Sequence, residues 1–317
     1  MRRIAVEEHF VTDAYFSLLP GKMSTPHVVP GGNIVNQPDH SLENIEIRLK
    51  IMDEAGIDMH VLSIGPGVEQ LDAALGTKIT RSVNDALAAT VRKYPKRLAG
   101  LAAIAPQDPA AAADELERAV TKLGLKGAII KSHIQGEYMD NPKYWTVFER
   151  AEKLDVPIYL HPKEPSPDLI KPYLAYPGLD GAMWGYAAEA GLHAMRLVLS
   201  GLFDKYPNLK IILGHMGEAI PYWLWRMESK GPSPERKLKR KISQYFKENF
   251  YFSTSGMFFQ PALQCCYTAV GADRILFAVD YPAESSADGV KFIDSANMCD
   301  GDKEKICHIN AEKLFKL

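Results

Sequence analysis

Four short apolar runs in this chain of 317 residues end in groups that bind metals or carry protons. The first runs into Glu7-Glu8-His9, the second into His161-Pro162, the third into Gly214-His215-Met216-Gly217-Glu218 and the last into Asp280-Tyr281-Pro282. Extended backbone alternates its side chains with a period of two, so Glu7 and His9 share one face and Glu8 takes the other. A lone histidine after a strand is usually structural, and an Asp before Tyr-Pro can simply cap a turn. Delivered together to one end, these carboxylates and three histidines match the ligands of a divalent cation that keeps open positions for water or substrate.

Those ends can meet only if the runs are parallel strands of one closed sheet. Short β-branched or apolar runs occur at 4–6, 59–64, 98–105, 127–130, 156–160, 210–213, 250–253 and 275–279. Between them, 41–55, 71–93, 109–123, 144–154 and 187–205 carry helical periodicity. Ser41 with Glu43 reads as an N-cap region, Asp108-Pro109 places proline in a first turn, and Gly56 ends the first helix. Eight strands alternating with helices predict a (β/α)8 TIM barrel, read as one domain over 1–317. No Gly-x-Gly-x-x-Gly follows the first strand, and Gly31-Gly32 lacks the spacing, so a dinucleotide fold is disfavoured. Two long loops, 11–40 after strand one and 163–184 after strand five, follow strand C-termini and are expected to be lids.

Composition narrows the class. Hydrophobic residues at 46% and charged residues at 24% are ordinary globular usage, which argues against disorder and coiled coil. A net charge of -2 provides no field for nucleic acid or an anionic membrane. No segment approaches the ~20 apolar residues of a membrane span, and the N-terminus lacks the apolar core of a signal peptide. Cys265, Cys266, Cys299 and Cys307 have no C-x-x-C spacing and read as buried thiols of a cytoplasmic protein.

A ligand pair on strand one, His after strands five and six, and Asp after strand eight resemble the amidohydrolase superfamily. Ala5-Val6-Glu7-Glu8-His9-Phe10, Pro157-Ile158-Tyr159-Leu160-His161-Pro162, Ile211-Ile212-Leu213-Gly214-His215-Met216-Gly217-Glu218 and the ending Asn310-Ala311-Glu312-Lys313-Leu314-Phe315-Lys316-Leu317 are similar to its non-oxidative hydroxybenzoate decarboxylases. Glu-x-His in place of His-x-His is specific to this branch, which acts on γ-resorcylate, 2,3-dihydroxybenzoate or 5-carboxyvanillate. Aminocarboxymuconate semialdehyde decarboxylase is a more distant relative.

The resemblance implies Glu7, His9, His161 and Asp280 as metal ligands. It puts His215 and Glu218 beside the metal, with Glu218 orienting His215, and Arg226 on a substrate carboxylate. The implied reaction is reversible, metal-dependent decarboxylation of a hydroxylated aromatic acid, with Asp280 protonating the ring carbon. A cation lowers the pKa of Asp280, so that proton must come from the substrate phenol or by exchange through His215. Glu7 adds a hard oxygen ligand and negative charge, shifting one divalent site toward manganese or magnesium, while affinity order keeps zinc in play. A homodimer or homotetramer is also implied, with Trp223 and Trp225 as interface anchors.

Lys131, in Ile130-Lys131-Ser132-His133 after strand four, departs from the uncharged residue expected at that position. In binuclear amidohydrolases a lysine there is a carbamylated bridge between metals, but Glu on strand one resembles the mononuclear enzymes, so Lys131 or His133 is expected to meet substrate. His193, four residues after Glu189, reads as half of a helix pair. His27, His40, His60 and His308 read as structural or surface residues. Aromatic residues of 173–184 and Met257-Phe258-Phe259 are candidates to line a ring pocket. Two other classes compete: a metal-dependent lactone or amide hydrolase with Asp280 as base, and a non-catalytic barrel, which the intact ligand set argues against.

Overall fold

The computed structural model describes residues 1–12, 15, 42–65, 67–231 and 237–317. Most of the expected first loop, with Gly31-Gly32, His27, His40 and the cap residue Ser41, lies outside them, as does the side chain of Glu43. Among the described residues, nine parallel strands form two sheets. The first is β1 (Ile4–Phe10), β2 (Met59–Ile64) and β3 (Leu98–Gly100); the second runs in order from β4 (Ala102–Ala103) through β5 (Ala128–Lys131), β6 (Ile158–His161), β7 (Ile211–Leu213) and β8 (Phe250–Ser253) to β9 (Ile275–Leu276). The run expected at 98–105 is thus two strands. Its first half pairs with β2 and its second with β5, and Leu101 N–H donates to Leu62 O at 2.8 Å between them.

Backbone hydrogen bonds also join β1 to the chain after β9. Val6 N–H donates to Phe277 O at 3.1 Å, Asp280 N–H to Glu7 O at 3.0 Å and His9 N–H to Tyr281 O at 2.7 Å. The strands therefore complete the eight positions of a (β/α)8 barrel. Such a ring is buried on both faces, which is why its strands read as continuous apolar runs; every residue of β2, β5, β6 and β7 is buried.

Helices follow the strands as expected: α1 (Ile45–Ala55), α2 (Ala73–Lys93), α3 (Pro109–Thr121), α4 (Trp145–Leu154), α5 (Gly185–Leu199), α6 (Ile220–Lys230), α7 (Gln260–Val270) and α8 (Ser286–Asp294). Asp108 caps α3 by accepting Ala111 N–H at 3.0 Å ahead of Pro109, and Gly56 closes α1 at φ 72°. The helix expected over 187–205 stops at Leu199, because Gly201 at φ 82° turns the chain into a short second helix, Leu202–Lys205. All four cysteines are free; Cys266 and Cys307 are buried as expected, whereas Cys299 is exposed at the start of a helical turn. No helix among the described residues is long and apolar enough to cross a membrane.

Candidate metal centre and proton relay

β1, β6 and the turn after β9 end at one mouth of the barrel, and their polar side chains converge there. Donor atoms of Glu7, His9, His161 and Asp280 all lie within 4.8 Å of one another. His9 Nε2 is 3.0 Å from His161 Nε2 and 3.2 Å from Asp280 Oδ1, and His161 Nε2 is 3.2 Å from Glu7 Oε1.

The hydrogen bonds around this cluster turn its lone pairs inward. His161 Nδ1 lies 2.6 Å from Pro162 O. A carbonyl can only accept, so Nδ1 carries the proton and Nε2 is left bare. Burial, aided by the nearby Lys131 charge, holds both His9 and His161 below the usual imidazole range, so both are neutral. Tyr159 Oη donates to Glu7 Oε2, which Ser253 Oγ also reaches at 3.2 Å. Glu7 Oε1 is buried without a hydrogen-bond partner. The bare His161 nitrogen, His9 Nε2 and two carboxylate oxygens face one another, and this nitrogen and oxygen set fits a single divalent metal.

Close approach is part of the design. A Cβ on Gly214 would meet Glu7 Oε2 at 3.1 Å and Tyr159 Oη at 3.4 Å, so glycine at the end of β7 leaves room for that pair. Sequence reasoning missed Tyr159 and Ser253. The available signal was period two: Tyr159 stands two residues before His161 and so shares its inward face.

Beside the cluster, His215 bridges two carboxylates. Its Nδ1 is 2.7 Å from Glu218 Oε1 and its Nε2 is 3.5 Å from Asp280 Oδ2. Burial disfavours the charged ring, but Glu218, Glu7 and Asp280 outweigh it and hold the His215 pKa well above 6.5. For Asp280, burial pulls the opposite way and would raise the carboxyl; hydrogen bonds with His215 and His9 overcome it and keep the carboxyl low. These opposite shifts favour the proton on His215 over Asp280.

Lys131 pairs in register with His161, so its side chain takes the same inward face. It is 7% exposed, and among the described residues no hydrogen bond or ion pair reaches its Nζ. Burial depresses its pKa to about 8 against the opposing pull of Glu7, Asp280 and Glu69, and Glu69 accepts Lys131 N–H at 2.6 Å. His133 is buried and accepts Gly136 N–H at 3.1 Å through Nδ1.

Arg226 is not brought into the cluster. It is exposed on α6, and among the described residues no hydrogen bond or ion pair joins its guanidinium to the site. Aromatic residues expected to line a pocket are also largely outward: Tyr176, Trp184 and Phe259 are exposed, while Phe258 packs on Phe292 with centroids 5.7 Å apart. His193 and Glu189 do not pair directly but meet through Ser132, whose Oγ lies 3.3 Å from His193 Nδ1 and donates to Glu189 Oε1 at 3.1 Å.

A barrel of eight βα positions with this ligand set at one mouth belongs to the amidohydrolase family, whose sequence model matches residues 26–317. Among its relatives is a γ-resorcylate decarboxylase of Polaromonas sp. strain JS666, 40% identical over 99% of this chain and 98% of that protein. A crystal structure of 2,6-dihydroxybenzoate decarboxylase complexed with 2,6-dihydroxybenzoate superimposes with a TM-score of 0.90 at 37% identity, covering 100% of both chains. A dihydroxybenzoic acid decarboxylase from Polaromonas sp. JS666, with bound manganese and the inhibitor 2-nitroresorcinol, gives 0.88 at 39% identity over 100% of this chain and 97% of that one.

Proposed function

We propose that this protein is a metal-dependent, non-oxidative decarboxylase of ortho-hydroxylated aromatic carboxylic acids, working reversibly as one barrel domain over 1–317. The observation that carries this reading is His215 held between Glu218 and Asp280, directly against four inward-facing metal donors. Glu7, His9, His161 and Asp280 would hold one divalent ion, manganese by the precedent of the relative, with zinc or magnesium as the other choices. Such an ion supplies positive charge against the substrate's carboxylate and ortho oxygen.

The chain's own residues move the proton. Asp280 turns Oδ1 toward His9 and Oδ2 toward His215, so the oxygen on the His215 side can take the imidazolium proton. It then passes that proton to the ring carbon bearing the carboxylate. The carbon–carboxylate bond breaks, its electron pair returns to the ring, carbon dioxide leaves, and His215 is reprotonated from water. Glu218, behind His215, stabilises the charged imidazole and fixes which nitrogen faces Asp280. Lys131, a buried ammonium whose Nζ has no direct partner among the described residues, is suited to a second anionic or phenolic oxygen of the substrate.

The chain is further proposed to assemble as a homodimer or homotetramer. Tyr222, Trp223 and Trp225 are exposed along α6, and a second copy of this chain is the occupant that would bury them. Arg226 stands in the same exposed patch. A cytoplasmic location is supported by the four free thiols. The test is metal analysis of the purified protein, followed by ultraviolet assay of 2,6- and 2,3-dihydroxybenzoate and 5-carboxyvanillate. Asp280→Asn should retain metal and lose at least ~10³-fold in kcat, and a metal-loaded parent inert toward every ortho-hydroxy aromatic acid would overturn the proposal.

A further inference from the structure

We infer that Glu8, acting with Arg48, is a positioning residue that locks the two strand ends carrying His9 and Asp280 into the register the metal centre needs. Glu8 points away from the barrel interior, opposite to Glu7 and His9, yet it is fully buried. Its Oε1 accepts Val279 N–H at 2.9 Å and its Oε2 accepts Tyr281 N–H at 3.3 Å. Those are the residues on either side of Asp280, which sits at φ 76°, a left-handed conformation that a non-glycine residue holds only when its surroundings enforce it.

Among the described residues, the seam between β1 and the chain after β9 carries one bridge, Glu8 to Tyr281, beyond the regular strands. One carboxylate therefore stands in for the strand acceptors that Val279 and Tyr281 lack there. From the other side, Arg48 on α1 donates to the carbonyl of His9 and lies over the Tyr281 ring, 4.7 Å from its centroid. His60 completes the cluster: its Nδ1 is 3.4 Å from Arg48 Nη1 and its Nε2 is 3.9 Å from Glu8 Oε2. Glu8 thus grips the segment bearing Asp280, and Arg48 grips the end bearing His9. Their metal-facing atoms stand 3.2 Å apart.

This inference rests on the metal-centre part of the proposed function and is tested without substrate. Apo protein is titrated with Mn²⁺ while free ion is followed by electron paramagnetic resonance, for the parent, Glu8→Gln, Arg48→Lys and the control Ser132→Ala. Partners behind metal ligands typically govern affinity by ~10–100-fold, so Glu8→Gln is expected to weaken Mn²⁺ binding at least ~10-fold and to change the spectrum of the bound ion. Arg48→Lys, which keeps the charge but gives up the fork that reaches both His9 O and His60, should weaken it in the same direction. Ser132→Ala, in a separate buried network, should stay within about twofold. Parent-like binding in folded Glu8→Gln, or an equal loss in the control, overturns the inference. If Glu8→Gln does not fold, Arg48→Lys decides. A parent that binds metal but decarboxylates nothing would sink the reaction and leave this inference standing.

Discussion

His215 and Glu218 stand 2.7 Å apart across one turn whose backbone is left-handed at every residue from His215 to Ala219. Four of those five residues carry a Cβ, and each pays about 1–2 kcal/mol for that handedness. Gly217, at φ 81°, is required: a Cβ there would lie 2.4 Å from the Phe252 ring. The turn winds with the opposite hand to an ordinary helix and sets His215 Nε2 3.5 Å from Asp280 Oδ2.

Glu218 raises the His215 pKa, so removing its charge must lower it. Glu218→Gln is expected to shift the alkaline limb of the kcat/KM profile to lower pH, because the imidazolium is then lost sooner as pH rises. kcat at neutral pH should fall ~10²-fold. A pH–rate series on both proteins checks this, and an unmoved limb would remove His215 from the role of proton store.

Lys131 should act on binding more than on chemistry. At neutral pH it remains mainly protonated, since its pKa is depressed only to about 8. Lys131→Met is expected to raise KM for dihydroxybenzoates ~10-fold or more with kcat changed only a few-fold, the signature of lost uniform binding. Steady-state kinetics with metal-saturated enzyme decide it; a loss confined to kcat would place Lys131 in the proton path instead.

His193 gives the fold an acid limit. It is fully buried, its Nε2 accepts Met139 N–H at 3.1 Å, and burial pulls its pKa down to about 3. The unfolded chain binds that proton near pH 6.5, so stability is fully present above 6.5 and is lost as pH falls toward 3. The slope in that window is up to ~1.4 kcal/mol per pH unit for this residue. Denaturant melts at several pH values should show it, and His193→Gln should flatten the slope while lowering stability at pH 7.

Trp225 is 76% exposed and Tyr222 74% on the same helix. If α6 meets a second copy, Trp225→Asp should shift the mass in solution from an oligomer toward the monomer, as read by sedimentation. A parent that already sediments as a monomer would end the oligomer reading.

Much of this architecture was legible in the residues themselves. Apolar runs ending in Glu7, His9, His161, His215 and Asp280 marked both the strands and the end at which they act, because period two and chain direction are local properties. That Glu7 and His9 share one face follows from that alone. Tertiary structure decided what local periodicity does not encode: that Tyr159 and Ser253 hold Glu7, that Glu8 reaches round the seam to the backbone beside Asp280, and that His193 and Glu189 meet through Ser132. It also left Arg226 on an exposed face of α6, outside the cluster. The division has one physical cause. Strand direction and side-chain alternation are set by neighbouring residues, whereas lone-pair direction, protonation and left-handed turns are fixed by burial against groups far away in the chain.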